Sequence, residues 1–189
     1  MRISKLVLYG LFLVHSSILN AEAKLFVEGG FHFGGENLLD VVYVGGGSDS
    51  IEAGGLISGA IGFVSDINES FNLRTSFGIK FDSITATNGD ADFTRFPFEA
   101  MLVTNNGIEE LNFGMGFTYH LSPELSVNLP SLTGSVDFND AFGMVAEIDY
   151  QLSERAYLGF KVTFIDYETE IASISVDGNS FGVVIGTSF

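Results

Sequence analysis

Eight charged residues of this chain share a setting. Glu28, Arg74, Lys80, Arg95, Glu99, Glu147, Asp149 and Lys161 each sit in an alternating apolar stretch, on the parity opposite the bulky side chains. Charges withdrawn from water are tolerated when paired and hydrogen-bonded, so the chemistry open to them is electrostatic, an ion-pair network. Arg74 with Glu99, and Lys161 with Glu147 or Asp149, are the pairs expected from neighbouring strands. Lys80, Arg95 and Asp82 are expected one level higher, and Glu110 near the lower rim. Two histidines follow the same parity, His32 (F-H-F-G-G) and His120 (Y-H-L-S), the second just before Ser122. A His beside a Ser could serve acyl chemistry. A rim histidine that hydrogen-bonds locally is the simpler reading, so no enzyme, catalytic residue or cofactor is expected.

The elements that must hold these residues are strands. Phe71, Leu73, Thr75, Phe77, Ile79 and Phe81 alternate with Asn72, Arg74, Ser76, Gly78, Lys80 and Asp82, a period of two. Seven more stretches do the same, at about 25–34, 55–64, 95–102, 110–120, 142–151, 158–165 and 180–189. Pro97 weakens the fourth, because proline cannot donate to a ladder. No useful 3.6-residue period follows the N-terminus, so an all-β fold with almost no helix is expected. Short turns are expected at 65–70, 104–107 and 153–155. Longer connections fall at 35–54, 83–92, 122–136 and 168–179. In an up-and-down barrel with an even strand count, this alternation gathers the short turns at one rim and the long loops at the other.

Which face points inward follows from residue size. The polar face is built largely from Gly, Ser, Asn and Ala, which suit a crowded lumen better than a solvated surface. The other face carries most strand Phe residues, too much volume for an eight-stranded interior. Phe71 to Phe81 at about 3.3 Å per residue and a tilt of about 40° spans roughly 25 Å, the height of a membrane-facing apolar band. Lipid also demands closure, since an open edge strands backbone polar groups. A transmembrane barrel is the result.

Composition agrees. Mean hydropathy is +0.33 beside a net charge of −16, a combination rare in soluble acidic proteins. That acidity argues against nucleic acid, whose phosphates need Lys and Arg. There is no Cys, hence no disulfide or thiolate metal site. The loop acids, among them Glu36, Asp40, Asp49, Glu52, Glu124, Asp137 and Glu168, match no calcium-loop template, so no metal is expected. Arg2 and Lys5, the apolar run Leu6 to Val14, and Ala21-Glu22-Ala23 read as an export signal cleaved after Ala23. Residues 1–23 are then the signal peptide, and 24–189 one barrel domain.

The exported N-terminus, eight strands, short-turn and long-loop alternation and terminal Phe resemble the OmpA-like and OmpX-like eight-stranded outer-membrane barrels. The resemblance implies a monomer in a Gram-negative outer membrane, among lipid and lipopolysaccharide. It implies handling by the outer-membrane assembly machinery and periplasmic chaperones. Phe181, Val183, Ile185 and Phe189 match the C-terminal strand those families present to the machinery, while Thr187 departs from it. H-L-S-P around His120 lacks the Asn of the deacylase-type H-x-S-N pattern. The expected role is structural, in the envelope or its surface, with a lumen filled by ion pairs. The alternatives are an adhesin or receptor acting through the long loops, and a narrow channel. The apolar run L-L-D-V-V-Y-V in the first loop is expected to extend the first strand as a hairpin, packed within the loops or offering a binding edge.

Overall fold

The structure, a computed structural model, describes residues 23–43, 45–86, 89–104, 110–130, 132–171 and 173–189. The expected export signal through Glu22, and residues 105–107 of the second short turn, lie outside the described residues. Among the described residues the chain forms thirteen strands and no helix. They are β1 (Ala23–Phe33), β2 (Asn37–Val42), β3 (Ser48–Glu52), β4 (Leu56–Asn68), β5 (Phe71–Ala86), β6 (Gly89–Thr104), β7 (Leu111–Leu129), β8 (Leu132–Asp137), β9 (Ala141–Gln151), β10 (Ala156–Phe164), β11 (Asp166–Glu168), β12 (Ser175–Asp177) and β13 (Ser180–Ser188).

Eight of them close a barrel. β4, β5, β6, β7, β9, β10 and β13 follow β1 in turn, each antiparallel to its neighbour. β13 then returns to β1, with Phe33 opposite Phe181 and Val27 opposite Thr187. The backbone N–H of Phe189 donates to the Leu25 carbonyl at 2.8 Å, so the last residue pins the seam. The remaining strands form small hairpins above one rim. β2 pairs with β3, β11 with β12, and β8 folds back on the top of β7.

Facing follows residue size, as expected. Phe31 is 58% exposed and Phe117 56%, whereas Lys161 is 4% and Val184 0%. With aromatic side chains outside and charges inside, the wall has the polarity of a membrane barrel. Chemistry fixes the turns at the narrow rim. Asn68 Oδ1 accepts from the backbone N–H groups of Ser70 and Phe71 at 2.8 and 3.0 Å. Ser153 Oγ does the same for Arg155 and Ala156. Both are side-chain-closed turns of the Asx and Ser type. Pro97 leaves its mark too: the β5–β6 ladder pairs Phe77 with Phe98 and Lys80 with Arg95, and skips the rungs between.

The other rim departs from expectation. β5, β6 and β7 run 16, 16 and 19 residues, beyond the roughly 9–11 that cross a membrane. The connections expected at 83–92 and 122–136 are therefore mostly strand. At Ser122 (φ 46°) the β6–β7 register shifts by one residue. That bulge swaps the faces of β7, so Leu125 and Val127 point inward above it. They join Ile84, Ala91, Phe93, Val41, Ile51, Phe138, Ile165, Tyr167 and Val176 in an apolar core at the top of the barrel. The run Leu38 to Tyr43 packs against this core through Val41, Leu38, Leu39 and Tyr43. Its apolarity belongs to the cap.

Candidate functional site: the charged lumen

The barrel interior is layered along its axis. Lowest is a vestibule of about 570 Å³ at the short-turn rim, lined by Lys24, Asp66, Glu110, Gln151, Arg155 and Tyr157 among others. Its floor is Arg74. From β5 this guanidinium reaches across to β9, donating to Glu147 at 2.5 Å and Asp149 at 2.6 Å. It stacks over the Tyr157 ring at 4.4 Å and lies 3.8 Å from Glu28. One fork thus spans two carboxylates that β9 presents two residues apart, geometry that suits Arg better than Lys.

Lys161, on β10, is the second hub. Its Nζ lies 2.5 Å from Glu28, 3.0 Å from Glu147 and 3.1 Å from Glu99. The Tyr157 hydroxyl donates to Glu28 at 2.5 Å. Side chains from β1, β5, β6, β9 and β10 therefore interlock across the lumen.

Above them lies a cavity of about 20 Å³ bordered by Glu28, His32, Ser58, Lys80, Glu99 and His120, room for about one water. Lys80 donates to Ser180 at 2.9 Å. His32 Nε2 is 2.8 Å from Ser58 Oγ, and His120 Nδ1 is 2.6 Å from the Tyr167 hydroxyl. Burial pushes the Tyr167 phenol, in the cap, above its ordinary value, so it keeps its proton and can donate to His120. Arg95 closes this level. It donates to the carbonyls of Gly55 and Phe93 and stacks on the Phe93 ring at 4.6 Å. Phe93 meets Phe138 and Tyr167 edge-on at 5.5 and 5.6 Å, where the apolar cap begins.

The eight residues singled out in the sequence all point into the lumen, but some partners differ. Glu99 pairs with Lys161 and not with Arg74; Arg74 takes Glu147 and Asp149 from across the barrel instead. For Arg74, adjacent-strand reasoning failed because a narrow lumen brings opposite walls within reach of a long side chain, whereas the expected Lys161–Glu147 pair of neighbouring strands forms at 3.0 Å. Lys80 and Arg95 stand a level higher and bind hydroxyl and carbonyl groups. Asp82 accepts from the Glu52 N–H at 2.9 Å, and Glu110 takes the Tyr150 hydroxyl at the short-turn rim. Tyr157 was missed, although it stands one residue before the seventh alternating stretch on the inward parity. Phe181, Val183, Ile185 and Phe189 are all exposed on the outer wall. Among the described residues no three His, Asp or Glu side chains gather as a metal site.

No protein-family model matches this chain, and no curated protein matches it. Solved structures do. Ail, the attachment invasion locus protein of Yersinia pestis, is similar with a TM-score of 0.55 and 10% identity, over 89% of this chain and 99% of that one. Neisserial surface protein A has a TM-score of 0.54 and 12% identity, over 89% and 99%. OprG of Pseudomonas aeruginosa has a TM-score of 0.54 and 16% identity, over 89% and 97%.

The fold is that of an eight-stranded outer-membrane barrel. At these identities the likeness speaks for the fold, and the fold fits a protein of the Gram-negative outer membrane.

Proposed function

We propose that this chain is a sealed, non-enzymatic barrel of the outer membrane with a structural or surface role. The observation that carries this reading is the lumen itself. Arg74 and Lys161 tie carboxylates from three strands, β1, β6 and β9, across it, and the apolar cap stacks above. Both histidines are buried within the same layers, His32 against Ser58 and His120 against Tyr167, enclosed in the barrel rather than open to a substrate. The chain is proposed to act as a monomer among lipid and lipopolysaccharide. Assembly is proposed to use the envelope machinery and chaperones that read the outward face of β13 through Phe181, Val183, Ile185 and Phe189. Single-channel recording on the purified barrel tests the sealed lumen.

A surface-receptor reading is kept for one reason. Every charged residue in the long connections 34–55, 83–94, 121–140 and 165–179 is Asp or Glu. Ail was solved with sucrose octasulfate, a heparin analogue. An all-acidic rim here would repel such a polyanion, so a partner at this rim would be cationic.

A further inference from the structure

The lumen holds more acid than base. Its buried cations are Arg74, Lys80, Arg95 and Lys161; its acids are Glu28, Asp82, Glu147 and Asp149, with Glu99 mostly enclosed beside them. Four positive groups thus face five negative ones, and one proton would bring the enclosed charge to zero. An uncompensated charge at such a site costs several kcal/mol, so that proton has a place to be held.

The geometry places it on β9. Glu147 and Asp149 stand two residues apart on one face of the strand, within hydrogen-bonding reach of each other. Glu147 has a cation beside each oxygen: Oε1 is hydrogen-bonded to Arg74, and Oε2 lies 3.0 Å from Lys161 without a hydrogen bond. Asp149 is held through Oδ2 alone, to Arg74, and its Oδ1 is buried without a donor. The free oxygen and Glu147 Oε1 both face Gly159: a Cβ built there would lie 2.6 Å from Asp149 Oδ1 and 3.3 Å from Glu147 Oε1. Two oxygens converge there, and neither carries a hydrogen if both acids are ionised. The neighbouring groups cannot fill the gap. Arg74 from β5 and Lys161 from β10 are committed as described, and Tyr157 donates to Glu28 of β1. Glu99 of β6 lies with Lys161; on β7, Gly114 stands opposite Glu147 and Asn112 opposite Asp149, yet no hydrogen bond from Asn112 reaches Oδ1.

We propose that Asp149 is a proton-binding site at neutral pH, its carboxyl donating from Oδ1 to the Glu147 carboxylate. This deepens the sealed-lumen reading and rests on it. Asn is the mimic of such an acid: its carbonyl can face Arg74 and its amide can donate to Glu147.

The test is infrared spectroscopy of the folded barrel in lipid at neutral pH, wild type against Asp149→Asn, each checked by urea unfolding. The wild-type minus Asp149→Asn difference spectrum should contain the carbonyl stretch of a protonated carboxylic acid, shifted in D2O. Asp149→Asn should unfold at a urea concentration no lower than wild type. A difference spectrum showing only ionised carboxylate overturns the proposal, and so does failure of Asp149→Asn to fold. A conducting wild-type barrel would overturn the sealed lumen separately, because the spectrum reads Asp149 whether or not ions pass.

Discussion

Arg74 and Glu147 lie 73 residues apart, on strands that share no ladder, yet their side chains meet at 2.5 Å. The contact crosses the lumen and joins opposite walls. Truncating Arg74 would strand Glu147 and Asp149 in a buried layer, a loss of about 3–5 kcal/mol. Urea unfolding of Arg74→Ala in lipid vesicles should show it. The exposed pair Lys24–Asp66, at 3.8 Å, is the internal comparison: Lys24→Ala should cost less than about 1 kcal/mol.

Two glycines separate the inside of the wall from the outside. Gly159 faces Asp149 Oδ1 and Val184 at 2.6 and 2.7 Å from where a Cβ would sit, while Gly59 has nothing within 4 Å. Gly159→Ala should lower the unfolding midpoint by the equivalent of about 1–3 kcal/mol. Gly59→Ala should leave it nearly unchanged. Equal effects would mean the facing of β4 or β10 is wrong.

Phe160, 47% exposed at the middle of β10, tests the solvent of the outer wall. In lipid, Phe160→Arg should cost about 2–4 kcal/mol, read from equilibrium folding into vesicles. On a water-facing barrel the same change would be neutral or would improve solubility.

Phe189 closes the seam through Leu25 and ends the outward face of β13. Deleting it should reduce the folded, heat-modifiable form in cell envelopes several-fold, while the refolded barrel keeps most of its urea resistance. Normal envelope levels would remove the recognition role proposed for this residue.

Much of this architecture was legible because period-two alternation is a local signal. The eight barrel strands, the closure of β13 on β1 and the inward charges all follow from it. What escaped required distance or a change of rule. The Arg74–Glu147 contact joins β5 to β9 through space, which no local pattern encodes. The cap escaped because the lumen turns apolar there: Ile84 and Phe93 continue the inward parity of β5 and β6, yet they look like loop residues to a reading that equates apolar with outward. In β7 the bulge at Ser122 adds a flip of parity, so Leu125 and Val127 break the alternation that would have extended the strand.

The central claim is a lumen sealed by stacked layers, and a planar-bilayer recording of the purified wild-type barrel tests it most directly. The account predicts no steady conductance step above that of the bare bilayer. A steady, large conductance from every inserted barrel would contradict it.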